Sequence, residues 1–207
     1  MKKKIGILGG AFNPPHYGHL ILADKVLKKL RLDKFFLIPS GFPPLEKKGL
    51  APAKDRLEMT KLTAKGCPNF SVLDYEVKKA KKRKKSYTIE TIKYLKKKFK
   101  NSEIFWIIGE DSFREIIEGK WKGGLEILDK AKFVVITRPY HHFNLKKINP
   151  KFKNAANLAL KKVILIKLNI PISATEIRKK IKKGENVNKF LPKKVLKYIE
   201  EKGLYMA

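Results

Sequence analysis

The sequence of 207 residues carries 49 Lys+Arg against 19 Asp+Glu, a formal net charge of +30, and is 43% hydrophobic. That length fits one good-sized domain able to bury its own core. A single cysteine, Cys67, excludes an internal disulfide framework and a Cys-rich metal site, and it suits a reducing, cytoplasmic setting.

The basic start Met1–Lys4 leads into only the short apolar run Ile5–Leu8 before Gly9-Gly10. A secretory signal needs about 7–15 apolar residues there. No stretch approaches the roughly 18 consecutive apolar residues of a membrane span, so no membrane partner is expected. Further strands are predicted at Phe35–Ile38, Ser71–Leu73, Ile104–Ile108, Phe133–Thr137 and Val163–Leu168, alongside Ile5–Leu8. All are short, nearly continuous apolar runs, as strands buried on both faces should be. Between the first two, Leu20, Ala23, Leu27 and Leu30 share one helix face; Ile89, Ile92, Leu95 and Phe99 mark another helix. The loop Phe42–Lys48, with its prolines and the preceding Gly41, is a candidate lid.

The densest lysine run, Lys78–Lys85, lacks interleaved aromatics, and lysines occur along nearly the whole chain. A field of this sign attracts polyanions and speeds the approach of anionic ligands. It suits either nucleic acid or phosphate-bearing substrates; without an RNP-type or zinc-finger pattern, specific nucleic-acid binding is not expected. Tyr140–Lys162 reads as a loop with a partial helix. From Ser173 to Leu204 two helices are predicted and no strand. Ser173-Ala-Thr-Glu176 has the form of a capping box, Gly184 is placed to end that helix, Pro192 suits the first turn of the next, and Gly203 closes it. Strand and helix in alternation argue for an α/β fold with a parallel sheet and right-handed crossovers.

The chemistry concentrates at two places. The first strand runs into Gly9-Gly10-Ala11-Phe12-Asn13-Pro14-Pro15-His16-Tyr17-Gly18-His19 and then into a helix. Glycines let backbone approach a phosphate, and a helix N-terminus offers unpaired N–H groups. The pattern is neither the dinucleotide fingerprint nor a P-loop. Far along the chain, Ser173, Thr175 and Arg178 supply hydroxyl donors and a fixed-charge fork at another helix start. Ser173 reads equally as helix cap or phosphate ligand.

The His16-Tyr17-Gly18-His19 core resembles the signature of the nucleotidyltransferase superfamily that includes bacterial nicotinate mononucleotide, pantetheine-phosphate and glycerol-phosphate nucleotidyltransferases. Ile172–Arg178 resembles its second signature. Ser86-Tyr87-Thr88, Trp106–Ser112, Trp121, Thr137-Arg138-Pro139 and the tail Phe190–Tyr205 occur in the order seen in nicotinate mononucleotide adenylyltransferases, so the likeness spans essentially the whole chain. It implies a Rossmann-like doubly wound parallel sheet with helices on both faces and a small C-terminal helical extension. Residues 1–207 would form a single nucleotidyltransferase domain, with 173–207 its helical part.

The resemblance further implies that His16, His19 and Arg178 are catalytic, and that Gly9, Gly10, Ala11, Phe12, Gly18, Ser173, Thr175 and Arg178 bind ATP. Thr88, Gly109, Asp111, Trp121 and Arg138 would bind the acceptor. Thr88 would hold the pyridine carboxylate largely through backbone N–H, and Trp121 would stack on the ring; Asp111 would bind ribose hydroxyls or help to orient the metal. Each has a plainer reading: Thr88 and Asp111 as helix caps, Trp121 as a core aromatic. Nicotinate mononucleotide would attack the α-phosphorus of ATP directly, with Mg²⁺ bridging phosphates and no protein ligand set for it. Nicotinamide mononucleotide and pantetheine phosphate are the alternative acceptors, and a nucleic-acid-binding protein on the same fold is the alternative of another class. Two residues depart from the usual bacterial pattern: Asn13 stands where Asp is common, and Leu45 where a His is common, with Lys47 or Lys48 as substitutes.

Overall fold

A computed structural model describes residues 2–44, 49–137 and 148–206. Their strands are β1 (Lys3–Gly10), β2 (Lys34–Pro39), β3 (Phe70–Val72), β4 (Ser102–Gly109), β5 (Lys132–Thr137) and β6 (Val163–Lys167). All neighbours pair in parallel, in the order β3-β2-β1-β4-β5-β6. The winding reverses between β1 and β4, which opens a crevice beyond their carboxyl ends. The helices are α1 (Tyr17–Leu30), α2 (Ala53–Ala64), α3 (Tyr75–Ala80), α4 (Thr88–Lys98), α5 (Glu110–Ile117), α6 (Lys153–Leu160), α7 (Ala174–Lys182) and α8 (Lys193–Glu201).

Side chains alternate across the strands, which divides the core into two layers. On one face Ile5, Ile7, Phe36, Ile38, Trp106 and Phe133 pack with α4, α5 and α6. On the other, Leu8, Phe35, Leu37, Phe105, Ile107 and Val134 pack with Ala23 and Val26 of α1. Each fully buried Ile, Leu or Phe contributes about 1.5–3 kcal/mol, so these layers dominate the driving force for folding. A third cluster, with Met59 of α2, Ile177 of α7 and Val195 and Ile199 of α8, fastens the C-terminal helices to α2. The fold is thus the Rossmann-like doubly wound α/β architecture that the sequence predicts.

All six predicted strands are present, though β3 begins one residue before the expected Ser71. β6 departs from the expected burial on both faces: Ile164 and Leu165 are exposed and only Ile166 is buried. It is an edge strand, with β5 as its single neighbour. The capping box at Ser173 does not form. Ser173 does occupy the N-cap of α7, but its side chain makes no cap bond, and Glu176 pairs with Lys179 at 3.0 Å instead. Pro192 is the N-cap of α8 rather than a first-turn residue. Gly184 and Gly203 both take the left-handed backbone and end their helices as expected. Among the described residues, no helix is long and apolar enough to cross a membrane.

Candidate active site

β1 delivers Gly9 and Gly10 to the crevice, the loop Ala11–Pro15 turns the chain, and α1 starts with its histidines beside that turn. His16 is the N-cap residue, in extended backbone conformation, and its N–H donates to Nδ1 of His19 at 3.2 Å. The two imidazoles lie 3.9 Å apart between centroids, and the Phe12 ring centroid lies 4.8 Å from that of His19. Gly18 is required between them. A Cβ there would come within 2.8 Å of His16 Nδ1 and 3.0 Å of Ile170 Cγ2, displacing the ring.

Burial pushes His16 down to about 4. His19 is also held well below the usual range, first by burial and then by the nearby His16, against a raising contribution from its bond to the His16 backbone. Both are therefore neutral near pH 7, which is what allows two rings to pack this closely. Nδ1 of His16 is buried and has no partner among the described residues. Such an orphaned atom in a native site calls for an occupant. An anion beside the pair would favour the imidazolium and draw protons in. The helix end itself offers less than the motif alone suggests: the Tyr17 amide donates to Phe190 O at 2.9 Å, and that of His19 to His16 O at 2.9 Å.

Arg178, in α7, reaches back across the molecule and donates from Nη1 to the Asn13 carbonyl at 2.8 Å. The two motifs, at opposite ends of the sequence, thereby meet at one residue. Asn13 Oδ1 accepts from the Ala51 amide at 2.9 Å and the Tyr205 hydroxyl at 2.8 Å, while its Nδ2 donates to Gly49 O at 2.8 Å. Each half of the side-chain amide has its own work, and a carboxylate could not perform the donation to Gly49. That accounts for the Asn where Asp was the commoner expectation. Ser173 and Thr175 are exposed at the start of α7, and neither hydroxyl has a partner among the described residues.

Thr88, an expected acceptor residue, is the first residue of α4, where the Glu90 amide donates to Tyr87 O at 3.0 Å. Trp121 is partly buried against the core, its Nε1 donating to Glu115 at 2.9 Å. The segment after it meets the start of α4: Lys122 pairs with Glu90 at 2.9 Å and lies 4.5 Å from the Tyr87 ring centroid. Thr88 and Trp121 are thus brought to neighbouring elements. Gly109 ends β4 and caps α5, with exposed Asp111 in the first turn. Arg138, and Leu45, Lys47 and Lys48 with most of the candidate lid, lie outside the described residues. Two surface concavities of about 430 and 340 Å³ flank α1 and share Leu20, Gly66 and Cys67. Neither is lined by His16, His19 or Arg178.

Sequence reasoning missed the polar scaffold beneath the site. Arg56 is buried, as is Glu76, which accepts from Thr91 Oγ1 at 2.7 Å and is raised by burial. The Ser86 hydroxyl oxygen accepts from the amides of Gly41 and Phe42 at 3.3 and 3.4 Å, tying the approach to α4 to the loop after β2. A lone arginine and glutamate in a lysine-rich sequence give no periodic signal that would mark them as inward-facing.

Four likenesses place this chain among known proteins. The cytidylyltransferase-like family model matches residues 7–180. A protein of Clostridium tetani named probable nicotinate-nucleotide adenylyltransferase is 41% identical, over 99% of this chain and 100% of its own length. One of the same name from Dictyoglomus thermophilum is 36% identical, over 98% of this chain and 100% of its own length. Among solved structures, the Plasmodium falciparum nicotinic acid mononucleotide adenylyltransferase complexed with NaAD superposes with a TM-score of 0.75. It covers 98% of this chain and 97% of its own at 21% identity, a likeness of fold.

Proposed function

The chain belongs to the cytidylyltransferase-like family, and from that premise we propose that it is a nicotinate-nucleotide adenylyltransferase, moving AMP from ATP to nicotinate mononucleotide. The observation that carries the reading is the meeting of His16, His19 and Arg178 around the Ala11–Asn13 turn at the crevice. Residues 1–207 act as one nucleotidyltransferase unit.

The acceptor's 5′-phosphate attacks the α-phosphorus in line, a P–O bond forms to it, and the bond to pyrophosphate breaks. The nucleophile is already an anion, so no protein base is needed, and catalysis is positioning plus charge stabilisation. Gly9, Gly10, Ala11, Phe12 and Gly18 let the nucleotide lie against the backbone, and the free hydroxyls of Ser173 and Thr175 donate to its phosphates. His16 and His19 enter neutral, each with one N–H to give, and gain positive character as the triphosphate settles. Arg178 holds the turn through Asn13 and directs its remaining donors to the leaving group. Thr88 receives the pyridine carboxylate, Trp121 the ring, and Gly109, Asp111 and Arg138 the rest of the acceptor. Among the described residues no group of three His, Cys, Asp or Glu side chains is placed to hold a metal. Mg²⁺ would arrive with the phosphates of ATP, and Asp111, exposed in the first turn of α5, would help to orient it. Such an ion would supply charge neutralisation to the phosphates.

Pyrophosphate release is measured with Mg-ATP and, separately, nicotinate mononucleotide, nicotinamide mononucleotide and phosphopantetheine. Nicotinate mononucleotide is expected to be strongly preferred. Preference for either of the others changes the acceptor, and release with none removes the reading. His19→Ala is expected to cut turnover by roughly 10²–10³ while the protein stays folded, in line with loss of a charge-stabilising donor. Near-normal turnover in that variant would eliminate His19 from the mechanism.

A further inference from the structure

The guanidinium of Arg56 is buried in α2 and spends its donors on three backbone carbonyls from three separate segments. Nη1 donates to Ala11 at 2.7 Å, Nε to Ala51 at 2.9 Å and Nη2 to Gly41 at 3.2 Å. Ala11 belongs to the turn after β1; Gly41 and Ala51 bracket the loop between β2 and α2. A planar fork of three nitrogens can serve three acceptors lying in different directions, which the single nitrogen of a lysine ammonium cannot reproduce.

The bond to Ala11 has a consequence on the opposite side of that peptide. The Ala11–Phe12 bond is trans, so its C=O and N–H point in opposite directions. With the carbonyl drawn to Arg56, the Phe12 amide is turned away from the guanidinium, and it has no acceptor among the described residues. Phe12 takes the left-handed backbone (φ 49°), a region few non-glycine residues adopt, so this orientation must be held from outside. The Phe12 ring in turn packs on His19 at 4.8 Å. Gly41, the second carbonyl, is wedged against α3, where an added Cβ would overlap the Glu76 carbonyl. One lip of the crevice is thus anchored, and Arg56 sets the other against it.

We infer that Arg56 is a positioning residue for the transfer: through the Ala11–Phe12 peptide it aims the Phe12 amide at the nucleotide phosphates and seats His19, and through Gly41 and Ala51 it sets the ends of the loop between β2 and α2 against that turn. This rests on the adenylyl-transfer reading, and the experiment separates the two.

Wild type and Arg56→Lys are compared for kcat per active site, with sites counted by binding of α,β-methylene-ATP and folding followed by thermal melts. Counting sites sets aside molecules that have merely unfolded. The expected result is a fall of tenfold or more in kcat per site and a tenfold weaker Kd for the analogue, while the KM for the acceptor changes less. Turnover per site within twofold of wild type overturns the proposal, whatever happens to stability. If wild type releases pyrophosphate with no acceptor, the adenylyl-transfer reading has failed, and analogue binding alone decides: a tenfold loss in Arg56→Lys supports the positioning role, and an unchanged Kd ends it. If Arg56→Lys does not fold, the wild-type protein labelled with ¹⁵N-phenylalanine is titrated with inorganic tripolyphosphate, the Phe12 amide being assigned from Phe12→Leu. A shift of that amide on titration supports the proposal; a stationary Phe12 amide overturns it.

Discussion

His16 shows how one residue carries both stability and chemistry. Its folded-state value of about 4 lies below the ordinary 6.5, because burial disfavours the charged ring. Folding therefore prefers the neutral imidazole. The stability this contributes is complete above about pH 6.5, drains as pH falls through the window to about 4, and is absent below it. The gap corresponds to about 3 kcal/mol at most for one buried group. His19, lowered for the same cause, steepens the loss. Urea denaturation at a series of pH values is expected to show His16→Asn with a shallower decline than wild type between pH 6.5 and 4. Parallel declines would assign the acid sensitivity to other groups. The same desolvation prepares the function: a triphosphate beside the pair supplies the missing counter-charge, so nucleotide binding should take up protons near neutral pH. At this scale the sequence was legible in its motifs but not in their supports. His16, Gly18, His19 and Arg178 stand out by type and spacing. Asn13 reads there as a departure, whereas in the fold it is the junction of three segments.

The elements divide by the polarity of the face they bury. Every strand announces itself as an apolar run, and α1, α4, α7 and α8 by helical periodicity or by end signals. α2 leaves no such trace because its inward face carries Arg56, Thr60 and Thr63 beside Met59 and Ala64. The threonine hydroxyls satisfy themselves on the helix backbone, at Arg56 O (2.6 Å) and Met59 O (2.8 Å), so a polar stripe can be buried without cost in unpaired groups. A periodicity search sees that stripe as solvent-facing. α8 and the tail beyond it make two similar tyrosine bonds with different consequences. Tyr198 OH donates to Asp55 at 2.8 Å, within the packing of α8 on α2, while Tyr205 OH donates to Asn13. Loss of either hydroxyl should cost about 1 kcal/mol, or roughly 2–4 °C in melting temperature for a chain of this size. Tyr205→Phe should in addition raise the KM for ATP, because it frees one corner of the turn that Arg178 holds, whereas Tyr198→Phe should leave the KM where it was. Equal KM values in the two variants would show that the tail stabilises the fold without bearing on the site.

At the scale of the whole molecule 49 basic residues face 19 acidic ones, so positive charge greatly exceeds what carboxylates can neutralise. The pairs that do form are largely at the surface, such as Lys28–Asp24, Lys61–Glu58 and Lys197–Glu201, and each contributes little. The surplus acts instead as a field on approaching ligands. Both proposed substrates are anions, so the field should act on their capture and not on the chemical step within the crevice. Raising salt from about 0.01 M to 0.15 M shortens the screening length from about 30 Å to about 8 Å. Over that range kcat/KM for ATP is expected to fall by roughly tenfold while kcat stays nearly constant. The same surplus will draw nucleic acid at low salt, and the decisive comparison is what survives at about 0.2 M. Binding that rests on counterion release alone should collapse there for every sequence tried, whereas a site built for nucleic acid would keep a preference. A retained preference, joined to a kcat that itself falls with salt, would mean that the lysines serve a polyanion and not the capture of small phosphorylated substrates.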